Sequence, residues 1–125
     1  MPGCLSGRKS EKHLQSYAVT VHTIYLGEIM HIESLRHKGL RQLYLDDVTK
    51  GVPAHLVDRL KKQLFAMETA ANLDQLNHFP GWRLHPLKGD LADCWSLSVS
   101  GNWRLIFQYD GASNTASLLD LLDYH

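Results

Sequence analysis

The stretch from Ala54 to Ala71 constrains the fold more than any other part of this sequence. Its apolar side chains recur at three- and four-residue spacing, the period of a helix that buries one face. Pro53 precedes it and suits the first turn of a helix, where a missing N–H is tolerated. The predicted buried positions are Leu56, Val57, Leu60, Leu64, Met67 and Ala71. The predicted opposite face carries Asp58, Arg59, Lys61, Lys62 and Gln63.

Two weaker patterns precede this helix. Residues His31 to Leu35 are compatible with a short strand. Leu40, Leu43 and Tyr44 then recur at helical spacing, and this first helix is expected to end around Asp46 and Asp47.

The second half of the chain has the two-residue period of β-strands. Trp82–Leu87 predicts a short strand, Trp95–Val99 and Trp103–Phe107 predict a hairpin, and a last strand is expected around Ser117–Leu122. Asp110-Gly111 is a turn signal between the last two of these. These patterns predict an α+β domain with two N-terminal helices packed on a mainly antiparallel β-sheet, in the order β-α-α-β-β-β.

Residues 1–29 differ from the rest. They have no clear periodicity apart from a weak alternation of Tyr17, Val19 and Val21. An extra edge strand is one interpretation. We expect instead an N-terminal extension that is disordered or comes from a misassigned start, with Met30 as the natural first residue and residues 30–125 as the domain.

Charge and cysteine usage limit the function classes. With 13 Lys or Arg against 13 Asp or Glu, the chain does not have the basic excess of a bulk nucleic-acid binder. The charges are segregated, however, because basic residues predominate between Arg36 and Lys62, so a local basic face is possible. No signal peptide or apolar run long enough for a membrane is present, which predicts a cytoplasmic location. In that reducing compartment no disulfide between Cys4 and Cys94 is expected.

Familiar catalytic motifs are missing from the sequence. It contains no Gly-rich phosphate loop, no His-Glu-x-x-His, no Cys-x-x-Cys and no Gly-x-Ser-x-Gly. The histidines have no metal-ligand spacing, so we expect neither a metal nor another cofactor.

A scattered polar set remains in the β half: His85, Lys88, Arg104, Asp123, Tyr124 and His125. Taken singly, each has an ordinary structural explanation as a solvated or backbone-bonded residue. Together they contain what metal-free RNA cleavage requires, namely imidazoles for proton transfer and cationic side chains for phosphate charge.

Four motifs of the sequence resemble, in order, those of HigB toxins of the RelE/ParE toxin superfamily. Ser34–Leu40 is similar to the family's opening, Gly81–Gly89 to its central motif, Trp95–Arg104 to its hairpin and Asp123–His125 to its ending. The resemblance covers residues 30–125, and the four motifs in register make it specific.

The resemblance implies a compact toxin with a microbial-ribonuclease-like architecture. Such toxins enter the ribosomal A site and cut mRNA during translation, often at adenine-rich codons. The ribose 2′-OH attacks the adjacent phosphodiester without a metal and leaves a 2′,3′-cyclic phosphate. A HigA-like helix-turn-helix antitoxin neutralises the toxin, and the complex of the two binds operator DNA.

The resemblance also implies roles for individual residues. His85 and His125 would be the acid/base pair, and Lys88 and Arg104 would stabilise the phosphorane. Asp123 would orient His125 or act as base, and Tyr124 would stack on or hydrogen-bond the nucleotide. The basic residues expected to meet ribosomal RNA are Arg36, Lys38, Arg41, Arg59, Lys61 and Lys62.

The sequence departs from the family pattern in several places. Residues 30–125 are not basic overall, residues 1–29 precede the usual start, and Gln108 stands where a basic residue is common. The stretch from Arg104 to Asp123 is about two residues longer than usual. An insertion there would misplace the C-terminal residues if it altered the last strand.

Two competing hypotheses follow. The first is a non-enzymatic or degenerate toxin-fold protein that only binds a HigA-like antitoxin. The second is a ParE-like inhibitor of DNA gyrase, a branch that shares the fold but does not need the polar set described above. An active toxin would arrest growth, and a map of mRNA cuts would separate a ribonuclease from a gyrase inhibitor.

Overall fold

The computed structural model describes residues 29–124 and has an α+β architecture. The strands are β1 (His31–Ile32), β2 (His85–Pro86), β3 (Cys94–Ser100), β4 (Trp103–Asp110) and β5 (Thr115–Asp123). The α-helices are α1 (Lys38–Asp46) and α2 (Val57–Thr69). Short 3₁₀ turns cover Ala54–Leu56, Leu73–His78 and Gly89–Leu91. The predicted fold class is confirmed.

The five strands form one sheet in the order β1-β5-β4-β3-β2. The pair β1 and β5 is parallel, and the other three pairs are antiparallel. One face carries Leu97, Leu105 and Phe107, which are buried in the core. Both helices contribute to that core, so the opposite sheet face is free of them. We call this opposite side the open face, defined by the in-register residues Ser96, Ile106 and Asp120.

The predicted helices are present, with small differences at their ends. His37 caps α1 by accepting a hydrogen bond from Leu40 N at its Nδ1, 3.1 Å away, and Asp47 ends it in a left-handed conformation with φ 57°. The predicted long helix begins as the 3₁₀ turn Ala54–Leu56 and ends at Thr69. Tyr44 of α1 donates a 2.5 Å hydrogen bond to Glu68 of α2, so the two helices are joined through their side chains.

Two details of the prediction were wrong. The observed order is β-α-α-β-β-β-β, one strand more than the expected order β-α-α-β-β-β; a strand is present in each of the five predicted segments, but Trp82–Leu87 pairs only at His85–Pro86, as the edge strand β2. Gln63 was placed on the polar face of the long helix but is fully buried. Its Nε2 donates to the carbonyl oxygen of Ser98 at 2.8 Å, which satisfies a backbone acceptor between α2 and β3.

A β-bulge interrupts the last hairpin. Ile106 is in register with Asp120 and Gln108 with Ser117, so Leu118 and Leu119 together lie opposite Phe107. Leu118 has φ 54°, and its N–H donates to Ser34 Oγ at 2.9 Å. Leu119 is fully buried in the core. Beyond the bulge β5 continues to Asp123.

Among the helices of residues 29–124, none is long and apolar enough to cross a membrane. The expectation for residues 1–28 lies outside the described residues.

Candidate active site

His85 lies on the open face at the β2 edge of the sheet. It is in register with Ser96. The side chain of Ser96 points away from the core, because its neighbours Trp95 and Leu97 point towards the core. Residues in register on antiparallel strands point to the same face. A row therefore crosses the open face from His85 through Ser96 and Ile106 to Asp120.

The chain before β2 turns sharply and sets the orientation of the His85 ring. Gly81 and Arg83 both have left-handed backbone conformations, with φ 85° and 49°. The carbonyl oxygen of Arg83 then lies 3.0 Å from His85 Nδ1. A carbonyl oxygen can only accept, so this is a hydrogen bond when Nδ1 carries the proton. In that neutral form Nε2 is the unprotonated ring nitrogen.

Lys88 follows three residues later and is exposed. It has an extended backbone and stands directly before the 3₁₀ turn Gly89–Leu91. His85 and Lys88 thus belong to one short segment at the β2 edge, as their sequence spacing predicts.

Arg104 lies on the same face as His85, two strands away. It is in register with Ser98 and Leu122, one open-face row from Ile106. Its Nη1 donates to the carbonyl oxygens of Gly101 at 2.7 Å and Trp103 at 3.0 Å. The guanidinium is therefore held at the β3–β4 turn.

The C-terminal residues approach the same turn. Asp123 is in register with Trp103, and the N–H of Tyr124 donates to the carbonyl oxygen of Asn102 at 2.9 Å. By strand alternation Asp123 is on the side of Trp103, opposite to Arg104. Tyr124 is 40% exposed. His125 lies outside the described residues.

The six basic residues predicted to meet RNA are distributed over two faces. Arg36 lines a cavity on the open face. Lys38 and Arg41 belong to α1, and Arg59, Lys61 and Lys62 are exposed on α2. Lys61 forms an ion pair with Asp47, with 2.8 Å between Nζ and Oδ1. The six residues therefore do not all lie on one basic surface.

The open-face cavity was not predicted from the sequence. Its volume is about 200 Å³, and its apolar lining includes Ile106, Leu118 and Leu122. Ile106 is 3% exposed although it lies outside the helix-facing core. The sequence feature that could have indicated this cavity is Ile106, an apolar residue between Leu105 and Phe107 at a position where strand alternation predicts a polar one.

Cys94 also lines this cavity and is a free thiol. Burial and the negative charge of Asp93 raise the pKa of the Cys94 thiol, while Arg36 opposes the shift. Within residues 29–124, no three His, Cys, Asp or Glu side chains are close enough together to hold a metal ion.

Comparison with known proteins places the chain in a family. The model of the family described as RelE-like toxin of type II toxin–antitoxin system HigB matches residues 33–125. This chain belongs to the RelE-like HigB toxins. It is also 45% identical over 94 residues to a protein of Proteus vulgaris named endoribonuclease HigB. The matched residues make up 75% of this chain and 99% of that relative.

Membership of the HigB family confirms the resemblance seen in the four sequence motifs. It also means that the chain is the toxin component of a type II toxin–antitoxin pair and has an antitoxin as its partner. The matched region includes every residue of the polar set in the β half.

Proposed function

We propose that this HigB-family chain is an endoribonuclease that cleaves mRNA on the ribosome. Its similarity to the Proteus vulgaris endoribonuclease supports RNA as the substrate. The ribosome as the place of cleavage follows from the family resemblance, and it implies action in the cytoplasm.

The orientation of His85 is the observation that carries this proposal. The ring is exposed, its Nδ1 is bound to the carbonyl oxygen of Arg83, and it shares the open face with Arg104. An imidazole with an unprotonated Nε2 is suited to accept a proton. A guanidinium on the same face is suited to bind phosphate oxygens.

In the proposed reaction the ribose 2′-OH attacks the adjacent phosphorus. His85 and His125 form the acid/base pair: one removes the proton of the 2′-OH and the other protonates the departing 5′-oxygen. The P–O5′ bond breaks as the P–O2′ bond forms, so the products are a 2′,3′-cyclic phosphate and a 5′-OH. No metal is required in this scheme.

Cationic side chains stabilise the transition state in this proposal. Lys88 and Arg104 bind the phosphorane oxygens, and Arg104 exchanges its exposed carbonyl partner at the β3–β4 turn for the phosphate. Removal of one such donor typically raises the barrier by about 2.7–4 kcal/mol. Asp123, which is on the sheet face opposite to Arg104, orients His125, and Tyr124 stacks on the nucleotide.

The proposed partners are the 70S ribosome with its mRNA and a HigA-like helix-turn-helix antitoxin. Ribosomal RNA phosphates would be met by Arg36, Lys38, Arg41, Arg59, Lys61 and Lys62. Operator DNA would be bound only through the antitoxin complex.

The test is induced expression of the full chain, with growth curves and a map of mRNA 5′ ends. We expect growth arrest and in-frame cuts with the unmodified chain. His85→Ala should lower the number of cuts by about 100-fold or more, the usual contribution of a general acid or base. His55→Ala is the matched control, because His55 is exposed on the turn before α2, away from the open face.

A second arm tests the ribosome and the chemistry. Purified chain is incubated with one mRNA, alone or bound to ribosomes, and the ends of the mRNA fragments are identified. Cleavage only with ribosomes and a 2′,3′-cyclic phosphate end are expected. A folded chain that cuts no RNA under either condition would contradict the endoribonuclease proposal.

A further inference from the structure

The ring of His85 follows a short turn that begins at Phe79. The N–H of Trp82 donates to the carbonyl oxygen of Phe79 at 3.2 Å, and Gly81 between them has φ 85°. A proline-glycine centre, a positive φ at the glycine and this hydrogen bond are the features of a type II turn. Arg83 comes directly after the turn, and its carbonyl oxygen lies 3.0 Å from His85 Nδ1. The turn is therefore close enough in the chain to control the orientation of the ring.

The two ends of this turn are joined by their aromatic rings. The rings of Phe79 and Trp82 are stacked, with 4.1 Å between their centroids and 16° between their planes. Trp82 belongs to the core and is 6% exposed, whereas Phe79 is 40% exposed and is not part of the core. Stacked aromatic rings attract each other more than burial of their area alone explains. Phe79 thus covers and holds Trp82, the residue that precedes Arg83.

The segment from Trp82 to His85 is fixed to β3 at both ends. The carbonyl oxygen of Trp82 accepts a hydrogen bond from the N–H of Ser98, 2.7 Å away. His85 pairs with Ser96 of the same strand. Because the linking backbone between these two attachment points is so short, the position of Trp82 determines its path through Arg83.

Arg83 has an unfavourable backbone conformation between these points. Its φ of 49° lies in the left-handed region, where a residue with a Cβ is destabilised. Such a conformation persists only where the surrounding structure imposes it. The side chain of Arg83 is exposed, so the constraint comes from the backbone on either side, namely Trp82 and β2. If Trp82 were released, φ would return to negative values and the carbonyl oxygen would move away from His85.

The carbonyl oxygen of Arg83 also determines which nitrogen of the His85 ring carries the proton. While it accepts from Nδ1, the neutral ring has its free lone pair at Nε2. Nε2 is then the nitrogen that exchanges a proton with RNA, whether His85 acts as base or as acid. Without this acceptor the proton can occupy either nitrogen, and a neutral ring protonated at Nε2 cannot accept a proton there.

We propose that Phe79 is a positioning residue for His85. Its ring holds Trp82 in place, Trp82 keeps Arg83 left-handed, and the carbonyl oxygen there keeps the imidazole proton on Nδ1. The effect on catalysis rests on the proposed ribonuclease function, whereas the location of the proton can be measured without RNA.

The first test measures the tautomer of His85 by NMR. In the isotope-labelled full chain at mildly alkaline pH, where imidazoles are neutral, the couplings between ring nitrogens and ring protons identify the protonated nitrogen. We expect the Nδ1-protonated form to exceed the other about five- to tenfold, the factor that one ordinary hydrogen bond supplies. Phe79→Ala should reduce this ratio to about one, and Phe79→Tyr should retain it because the phenol ring still stacks. Phe65→Ala is the matched control, since Phe65 is 64% exposed on α2 and lies outside the turn.

Two variants of Arg83 test the backbone conformation with Phe79 in place. Arg83→Asn and Arg83→Val both remove the charge, but asparagine tolerates a positive φ and a β-branched residue does not. Arg83→Asn should keep the Nδ1-protonated form in excess, and Arg83→Val should lose this excess. Thermal melts check that each variant folds, and the exposed position of Arg83 keeps the test available if Phe79→Ala is unstable. An unchanged tautomer ratio in Arg83→Val, or in a folded Phe79→Ala, would overturn the proposal.

The second test measures the cutting of ribosome-bound mRNA. Phe79→Ala should cut about tenfold more slowly than the unmodified chain at saturating ribosomes, because the ring has lost its orientation as well as its tautomer. The ribosome concentration that gives half the maximal rate should stay unchanged, and Phe79→Tyr should restore the rate. A changed tautomer ratio with an unchanged rate would overturn the positioning role while leaving the ribonuclease intact. If no chain cuts RNA but the tautomer depends on Phe79, the ribonuclease proposal fails and the coupling of Phe79 to His85 stands.

Discussion

Two buried polar side chains lie on opposite sides of β3. Gln63 approaches from the helix side and donates to the carbonyl oxygen of Ser98, but its Oε1 has no partner within residues 29–124. Ser96 lies on the open face between His85 and Ile106, and its hydroxyl also has none there. Each unpaired buried group lowers stability by about 1–3 kcal/mol. At Gln63 this cost is offset by the hydrogen bond to Ser98, whereas the Ser96 hydroxyl makes no hydrogen bond within residues 29–124 that offsets it.

Cys94 gives a prediction that concerns one residue. Burial and the charge of Asp93 raise the pKa of its thiol, so less thiolate, the reactive form, is present at a given pH. Alkylation of Cys94 by iodoacetamide at mildly alkaline pH should be slower than that of an ordinary free cysteine. The rate should also reach half its maximum at a higher pH.

Peptide mass spectrometry of the folded chain, with the urea-unfolded chain as the reference, measures this rate. The comparison must be made at Cys94 itself, because Cys4 lies outside the described residues. If Cys94 reacts equally fast in the folded and unfolded chains, the raised pKa is contradicted.

At the scale of elements, the bulge in β5 determines what reaches the open face. If the register of Gln108 and Ser117 continued without a bulge, Leu119 would lie opposite Ile106 and Asp120 opposite Leu105, so the two would exchange faces, because a shift of one residue reverses every side chain of a strand. The bulge keeps Leu119 in the core and puts Asp120 on the open face beside Ile106. Trp103 and Asp123 remain in register beyond it. The last strand therefore pairs with β4 on both sides of the bulge, as far as Asp123.

The start of α1 depends on a close approach of two backbone segments. A Cβ built on Gly39 would lie 2.0 Å from the carbonyl oxygen of Gly51, in the loop before Pro53. Backbone cannot yield as a flexible side chain does, so Gly39→Ala must separate α1 from that loop. We expect a loss of about 3 kcal/mol in the free energy of unfolding, measured by urea denaturation.

Gly111→Ala is the matched control for this substitution. A Cβ there would meet only Tyr109, at an ordinary distance of 3.7 Å from Cε2. Its stability should stay within about 0.5 kcal/mol of the unmodified chain. Similar free energies of unfolding for Gly39→Ala and Gly111→Ala would contradict the close approach as described.

At the scale of the molecule, charge is divided between the two sides. Residues 30–125 hold 10 Lys or Arg against 11 Asp or Glu. The α2 surface has Arg59, Lys61 and Lys62, while the open-face cavity includes three aspartates and Arg36. Although residues 30–125 are nearly neutral overall, three basic residues lie on α2 and three aspartates lie at the open-face cavity.

Deletion of residues 1–29 tests the proposed domain boundary. The core formed by the described residues begins at Met30, which is 2% exposed, and is closed by both helices and the sheet. We propose that residues 30–125 fold without the extension, so the melting temperature should change by less than about 4 °C, equivalent to roughly 1 kcal/mol. A large fall in melting temperature by circular dichroism would show that the extension is part of the fold.

Features that depend on local periodicity could be predicted from the sequence. The helical spacing around Leu60 and the alternation of Trp95, Leu97 and Val99 identified α2 and the β3–β4 hairpin, because each pattern repeats within one element. The family motifs located the polar set from His85 to Tyr124 for a similar reason, since each motif is a short contiguous run.

Which of these residues share a surface could not be predicted in this way, because it depends on tertiary packing. The facing of Asp120 depends on the bulge at Leu118, and the burial of Gln63 depends on Ser98, 35 residues away. The separation of Arg36 from the basic residues of α2 follows from packing the helices on one side of the sheet. Register, bulges and layer packing join residues that are distant in the chain, and no local period records them.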